Sequence, residues 1–219
     1  MKSFAKLLIA ASLAVAFAAP ARADAIYSNP VHLPTTDWFG YSASAAQGQY
    51  LASSFVPAGG GTVTGATWVG SVWPTWPQNT SFTLTFLDSV SGAGNVIATR
   101  SVTATATDLG VVNNSGFEVF SYAASFAALS LAASTQYFLS IEGTEHWLWG
   151  DGSDAAAITW FSYTGDPTWQ YPSAPGRAFE LTGTADTVSI SVPVPEPGAL
   201  AVFGLALAGI GAMRRRRPA

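Results

Sequence analysis

The chain has 219 residues, 49% hydrophobic, 10% charged and without cysteine, which excludes disulfides, thiolate catalysis and cysteine-based zinc sites. Its formal net charge of −4 hides a division: all 13 acids lie from Asp24 to Glu196, where only Arg100 and Arg177 are basic, so that span carries about −11. An acidic body argues against nucleic acid and anionic lipid, which are bound through Lys and Arg, and suits cations, neutral glycans or plain solubility.

The first residues predict a signal peptide. Lys2 and Lys6 make a basic start, Leu7 to Ala19 is an apolar core, and Ala21-Arg22-Ala23 has the small-x-small form of a signal-peptidase site. Cleavage is expected after Ala23, with Asp24 as the new first residue. The apolar core is too short for a bilayer span, which needs about 20 residues.

Residues 24–192 are one domain's worth of chain. Phe82, Leu84 and Phe86 alternate with threonines, the period of a half-buried strand. Tyr137, Leu139 and Ile141 share one strand face, with Ser140 and Glu142 opposite. Phe179-Glu180-Leu181-Thr182 and Val188-Ser189-Ile190-Ser191-Val192 repeat the pattern, and Gln49 to Val56 and Thr62 to Val69 are further strands. Gly, Pro, Asn and Asp punctuate the intervals. Ala123 to Ala133 fits either a helix or a loop leading into a strand. Short strands without alternating helices predict an all-β, antiparallel β-sandwich, jelly-roll-like in type. Thr184 to Pro195 reads first as a final strand and then as a tether.

Residues 193–218 hold a short motif, an apolar run and a basic plug in close succession. In Val194-Pro195-Glu196-Pro197 the prolines exclude helix interior and central strand, leaving an extended, accessible segment with one negative charge. Gly198 to Met213 is uncharged, and as a helix it would reach roughly 24 Å, a transmembrane helix whose span snorkelling arginines extend. Arg214, Arg215, Arg216 and Arg217 would hold that end on the cytoplasmic side. At these residues the chain resembles the PEP-CTERM sorting signal of Gram-negative bacteria. The resemblance implies recognition by a membrane-embedded exosortase, transient residence in the inner membrane, removal of the tail, and release or attachment outside the cell.

The body is similar to a domain common among PEP-CTERM exoproteins. The similarity lies in Phe55-Val56-Pro57-Ala58-Gly59-Gly60, Val63-Thr64-Gly65-Ala66-Thr67-Trp68, Tyr137-Phe138-Leu139-Ser140-Ile141 and Arg177-Ala178-Phe179-Glu180-Leu181-Thr182-Gly183. It implies a lectin-like sandwich.

Eight tryptophans stand out. Sugars stack flat C–H faces on aromatic rings, and neighbouring acids bind hydroxyls. Trp147, Trp149 and Asp151 offer both kinds of group on one candidate loop; core packing is the competing reading of the Trp pair. Trp73 and Trp76, among prolines, are a second aromatic patch or a loop plug. Asp151-Gly152-Ser153-Asp154 supplies oxygen ligands of the kind calcium takes, but a backbone turn uses the same residues, so no cofactor and no metal site is expected. Glu142, Glu145, Asp151 and Asp154 are the carboxylates from which a glycosidase would draw its pair. His32 and His146 are the two histidines, and neither sits in a catalytic motif. Asn79-Thr80-Ser81 and Asn113-Asn114-Ser115 match a glycosylation acceptor by chance. The expectation is a non-enzymatic exported protein of the cell surface or biofilm matrix, associated with exopolysaccharide. The alternatives are a purely structural surface protein and a glycoside-active enzyme.

Overall fold

Alternation decides the strands. In a computed structural model, which describes residues 23–32, 40–72, 78, 80–173 and 175–186, Phe82, Leu84 and Phe86 of β5 (Ser81–Ser89) are buried. So are Tyr137, Leu139 and Ile141 of β9 (Tyr137–Gly143). β3 (Gln49–Phe55), β4 (Gly61–Ser71) and β13 (Phe179–Ala185) likewise stand where the sequence places strands. The expected signal peptide at 1–23 falls almost wholly, and the strand at 188–192 and the membrane helix at 198–213 entirely, outside the described residues. Among the described residues no helix is long and apolar enough to cross a membrane.

Ala123 to Ala133 requires a correction. It is neither helix nor loop, but lies almost entirely in β8 (Glu118–Leu131). β8 pairs with β4 along one edge and with β7 (Thr105–Val112) along the other, and this pairing overrides alanine's helix propensity. Tyr122, Ala124 and Phe126 follow the inward period. The register then slips: Ser125 opposes Gly65 and Leu129 opposes Val63, so three β8 residues face one on β4. Arg100 of β6 (Asn95–Thr103) covers this bulge, donating from Nε to the Ala127 carbonyl at 3.0 Å and from Nη2 to the Ala128 carbonyl at 3.3 Å. The bulged carbonyls thereby keep partners.

All strand pairs are antiparallel, in two sheets. In the first, β4 is the hub: β13 and then β1 (Asp24–Asn29) extend it on one side, β8 and β7 on the other. β10 (Leu148–Gly150) and β2 (Gly40–Ser42) continue beside the far end of β4. The second sheet runs β12-β11-β3-β9-β5-β6, with β11 at Thr159–Tyr163 and β12 at Asp166–Ser173. The inward faces share one core. Phe82 of the second sheet lies edge-on to Trp68, Tyr122 and Trp147 of the first side, with centroids at 4.9, 5.1 and 5.0 Å. Tyr27, Phe55 and Phe179 join the sheets at the other end. Each such ring pair adds about 0.5–1.5 kcal/mol beyond area burial.

Candidate functional site

The parity that sends Leu139 and Ile141 of β9 into the core turns Phe138, Ser140 and Glu142 to the outer face of the second sheet. Across on β5, Leu87, Thr85 and Thr83 stand opposite them in that order. Two hairpins rise over this face. Ala52, Leu87, Val90 and Phe138 make a small apolar cluster, and Trp160 and Trp169 pack against it, half-buried. Trp169 is fastened to the β5–β6 turn: its backbone N–H donates to the Gly92 carbonyl at 2.9 Å and its Nε1 to the Ala93 carbonyl at 3.2 Å. Gly94 lets the turn come this close. It has φ +81°, and a Cβ there would lie 2.7 Å from Leu87 Cδ2 and 2.9 Å from Trp169 Nε1.

Beside Trp169 the face hollows into a groove of about 400 Å³, lined among others by Tyr50, Thr85, Ser140, Glu142, Ser162 and Tyr163. The β11–β12 turn forming one wall is tied to β3: the Thr164 N–H donates to the Gly48 carbonyl at 2.8 Å, and Tyr50 Oη and Thr164 Oγ1 share a hydrogen bond of 3.3 Å. Ser162 Oγ donates to the Asp166 carbonyl at 3.2 Å. Glu142 is half-buried, and burial pushes its carboxyl above the usual 4.5. Among the described residues it forms no ion pair. Aromatic rings, hydroxyls and one carboxylate therefore meet on a concave, solvent-facing surface. This is the chemistry a sugar ring requires: apolar faces for its C–H surfaces and polar groups for its hydroxyls.

The pair Trp147 and Trp149 requires a second correction: at 1% and 0% exposure they are core, not a platform for sugar. Trp149 lies on the short strand β10, bonded to β4 and β2, and both rings turn inward and stack at 6.2 Å. Their N–H groups are used internally, Trp147 Nε1 donating to the Ala43 carbonyl and Trp149 Nε1 to the Ala178 carbonyl at 3.0 Å.

Asp151 is corrected with them. Its carboxylate pairs with Arg177, whose side chain has no exposed surface, so it is not free for a hydroxyl or a calcium ion. Arg177 Nε donates to Thr159 Oγ1 at 2.8 Å, its Nη2 to the Pro175 carbonyl at 2.9 Å, and its guanidinium sits 5.0 Å from the centre of the Tyr41 ring. Its backbone N–H donates to Ser53 Oγ at 2.9 Å, and its carbonyl accepts from Asn29 Nδ2 at 3.0 Å. Burial pushes the Asp151 carboxyl up and the Arg177 guanidinium down, and the opposite charge of each partner works against that. This cluster clasps β1, β3, β11 and the entry to β13 together.

The remaining candidates are dispersed. Asp154 Oδ1 accepts from the Ala156 N–H at 2.9 Å, as a turn residue does. Glu145 is exposed in a bend, and His32 donates its backbone N–H to the Asp151 carbonyl. Asn113 is buried and accepts from the N–H groups of Ser115 and Phe117 at 2.9 and 3.0 Å, holding a turn. Ala23 is exposed just before β1. Trp73, Trp76, Ala21, Val194 to Pro197 and Arg214 to Arg217 lie outside the described residues. Sequence reading missed Tyr50, Tyr163 and Trp169 as a group. The available signal was the outward parity of Ser140 and Glu142.

No curated protein matches the chain. Residues 193–217 match the family model of the PEP-CTERM protein-sorting motif, and carrying this motif implies export and exosortase processing.

Proposed function

We propose that the protein is a non-enzymatic component of the cell surface or extracellular polysaccharide matrix. It reaches that place through signal peptidase and exosortase, which remove its two ends, and it binds glycan in the groove of Tyr50, Glu142, Tyr163 and Trp169. The observation that carries this reading is the groove itself, an aromatic and hydroxyl-rich hollow on a chain with a sorting motif. The body is read as a jelly-roll-like β-sandwich. In support, β1-β13-β4-β8 and β3-β9-β5-β6 form two facing antiparallel sets between which the chain repeatedly crosses. A binding role is favoured over hydrolysis because Glu142 is the one carboxylate among the described lining residues, whereas most glycosidases use two.

The test is affinity electrophoresis of the full-length chain in mild detergent, in gels cast with the producing host's exopolysaccharide. Retardation of the wild type, lost in Trp169→Ala and Tyr50→Ala, is the expected result. Absence of retardation in the wild type would defeat the glycan reading. A ligand-free structural surface protein would then remain, a reading favoured by the burial of Trp147 and Trp149. Sorting is tested separately: a chain with alanines for Pro195, Glu196 and Pro197 should lose its signal peptide in the producing host but keep its C-terminal tail.

A further inference from the structure

We infer that the groove selects cationic amino sugars, as in a partly de-N-acetylated polysaccharide, over neutral and uronic-acid glycans. This rests on the glycan-binding reading and narrows it. A carboxylate half withdrawn from water, with no cationic partner among the described residues, is left with its charge incompletely stabilised. The ammonium group of an amino sugar supplies that partner, through hydrogen bonds roughly twice as strong as neutral ones. Tyr50, Tyr163 and Trp169 line the same groove, and aromatic rings attract cations, which adds a second attraction for the same group.

Among the described residues, anionic sugars have no counter-charge to meet in the groove. Arg177 is fully buried against Asp151, and Arg100 is committed to the β8 bulge; no other lysine or arginine stands among the described residues. A uronate in the groove would face Glu142 instead. The acid-rich body also steers cations toward this surface. Glu142 is the one carboxylate among the described residues that line the groove. β5 offers Thr83 and Thr85, β3 offers Tyr50, and β11 offers Ser162 and Tyr163. The nearby hairpin acids are occupied: Asp166 accepts from the Thr168 N–H at 3.1 Å and from Gln170 Nε2 at 2.6 Å, and Asp88 accepts from Asn95 Nδ2 at 2.7 Å. Affinity for the amino sugar should therefore rise with pH as Glu142 ionises, while the sugar's ammonium keeps its proton.

Calorimetry with the full-length chain in detergent tests this, with glucosamine, N-acetylglucosamine and galacturonate tetrasaccharides as probes. The glucosamine tetrasaccharide should bind best. Glu142→Gln should weaken it by about tenfold or more, the usual effect of losing a charged hydrogen-bond partner. Glu118→Gln, the same charge change at an exposed site on β8, should not. Equal weakening by Glu118→Gln would mean diffuse attraction to an acidic surface and would overturn the inference, as would equal or tighter binding of either other probe. If those probes bind and Trp169→Ala abolishes it, glycan binding survives and only the amino-sugar preference falls. If no probe binds and the exopolysaccharide gel shows no retardation, both fall; retardation in the gel without glucosamine binding sinks the preference alone.

Discussion

Replacing Arg177 with methionine should destabilise the protein more than any change in the groove. The substitution leaves the Asp151 carboxylate, 14% exposed, without its counter-charge and removes the donors to Thr159 Oγ1 and the Pro175 carbonyl. Removing one partner of a buried ion pair costs about 3–5 kcal/mol. The lower end applies here, because Asp151 keeps some exposure and methionine restores apolar volume over Tyr41. For a domain of this size, about 3 kcal/mol corresponds to a fall in Tm of roughly 6–12 °C. Urea titration followed by fluorescence and circular dichroism should show the lower midpoint at unchanged m-value. Without Arg177, burial is opposed only by the nearby His32, and it pushes the Asp151 carboxyl further up. The unpaired charge costs most above that raised value, so the deficit against wild type should shrink as pH falls through it. Arg177→Met combined with Asp151→Leu should recover most of the loss, since apolar replacement of a whole buried pair is often neutral or stabilising. A cost below about 1 kcal/mol for the single variant, or a double variant as unstable as the sum of the two single ones, would refute the clasp.

Glu142→Gln should raise stability near neutral pH while weakening ligand binding. A folded carboxyl raised by burial loses stability as pH climbs from the unfolded value near 4.5 through the folded one, and the cost stays constant above it. The urea midpoints of variant and wild type should thus converge below 4.5; equal midpoints near pH 7 would contradict the desolvation. Acrylamide should leave a resistant fraction of the tryptophan emission, from Trp68, Trp147 and Trp149, which are at most 1% exposed. A strictly linear Stern–Volmer plot with complete quenching would disprove the buried aromatic core. Gly94→Ala should cost about 1–2 kcal/mol, from left-handed strain, and displace Trp169. Glycan retardation should fall with far-UV dichroism unchanged; unaltered retardation and stability would show that the turn does not hold the indole.

The strands were legible because a period of two is a local property. Phe82, Leu84 and Phe86, or Tyr137, Leu139 and Ile141, announce a buried face within six residues. β8 was not legible, because its alanine-rich sequence satisfies a helix equally well and its extended form is imposed by β4 and β7. Tryptophan misled for a related reason. Spacing put Trp147 and Trp149 on one face, yet it does not say which face of a sheet meets the other sheet. The rings went inward with β10, while Trp169, isolated in sequence, came to rest on an outer face.

By itself, the sequence determined the address. The sorting motif is a contiguous stretch, 193–217, and its chemistry of proline, apolar run and arginines needs no partner from elsewhere in the chain. The groove was decided only by tertiary structure. Tyr50, Glu142, Tyr163 and Trp169 come from four strands, and Asp151 and Arg177 from two segments, that only sheet pairing and packing bring together. Ring, hydroxyl and carboxyl can be read from sequence. Their concave arrangement, and the partial burial of Glu142, exist only once distant strands have paired.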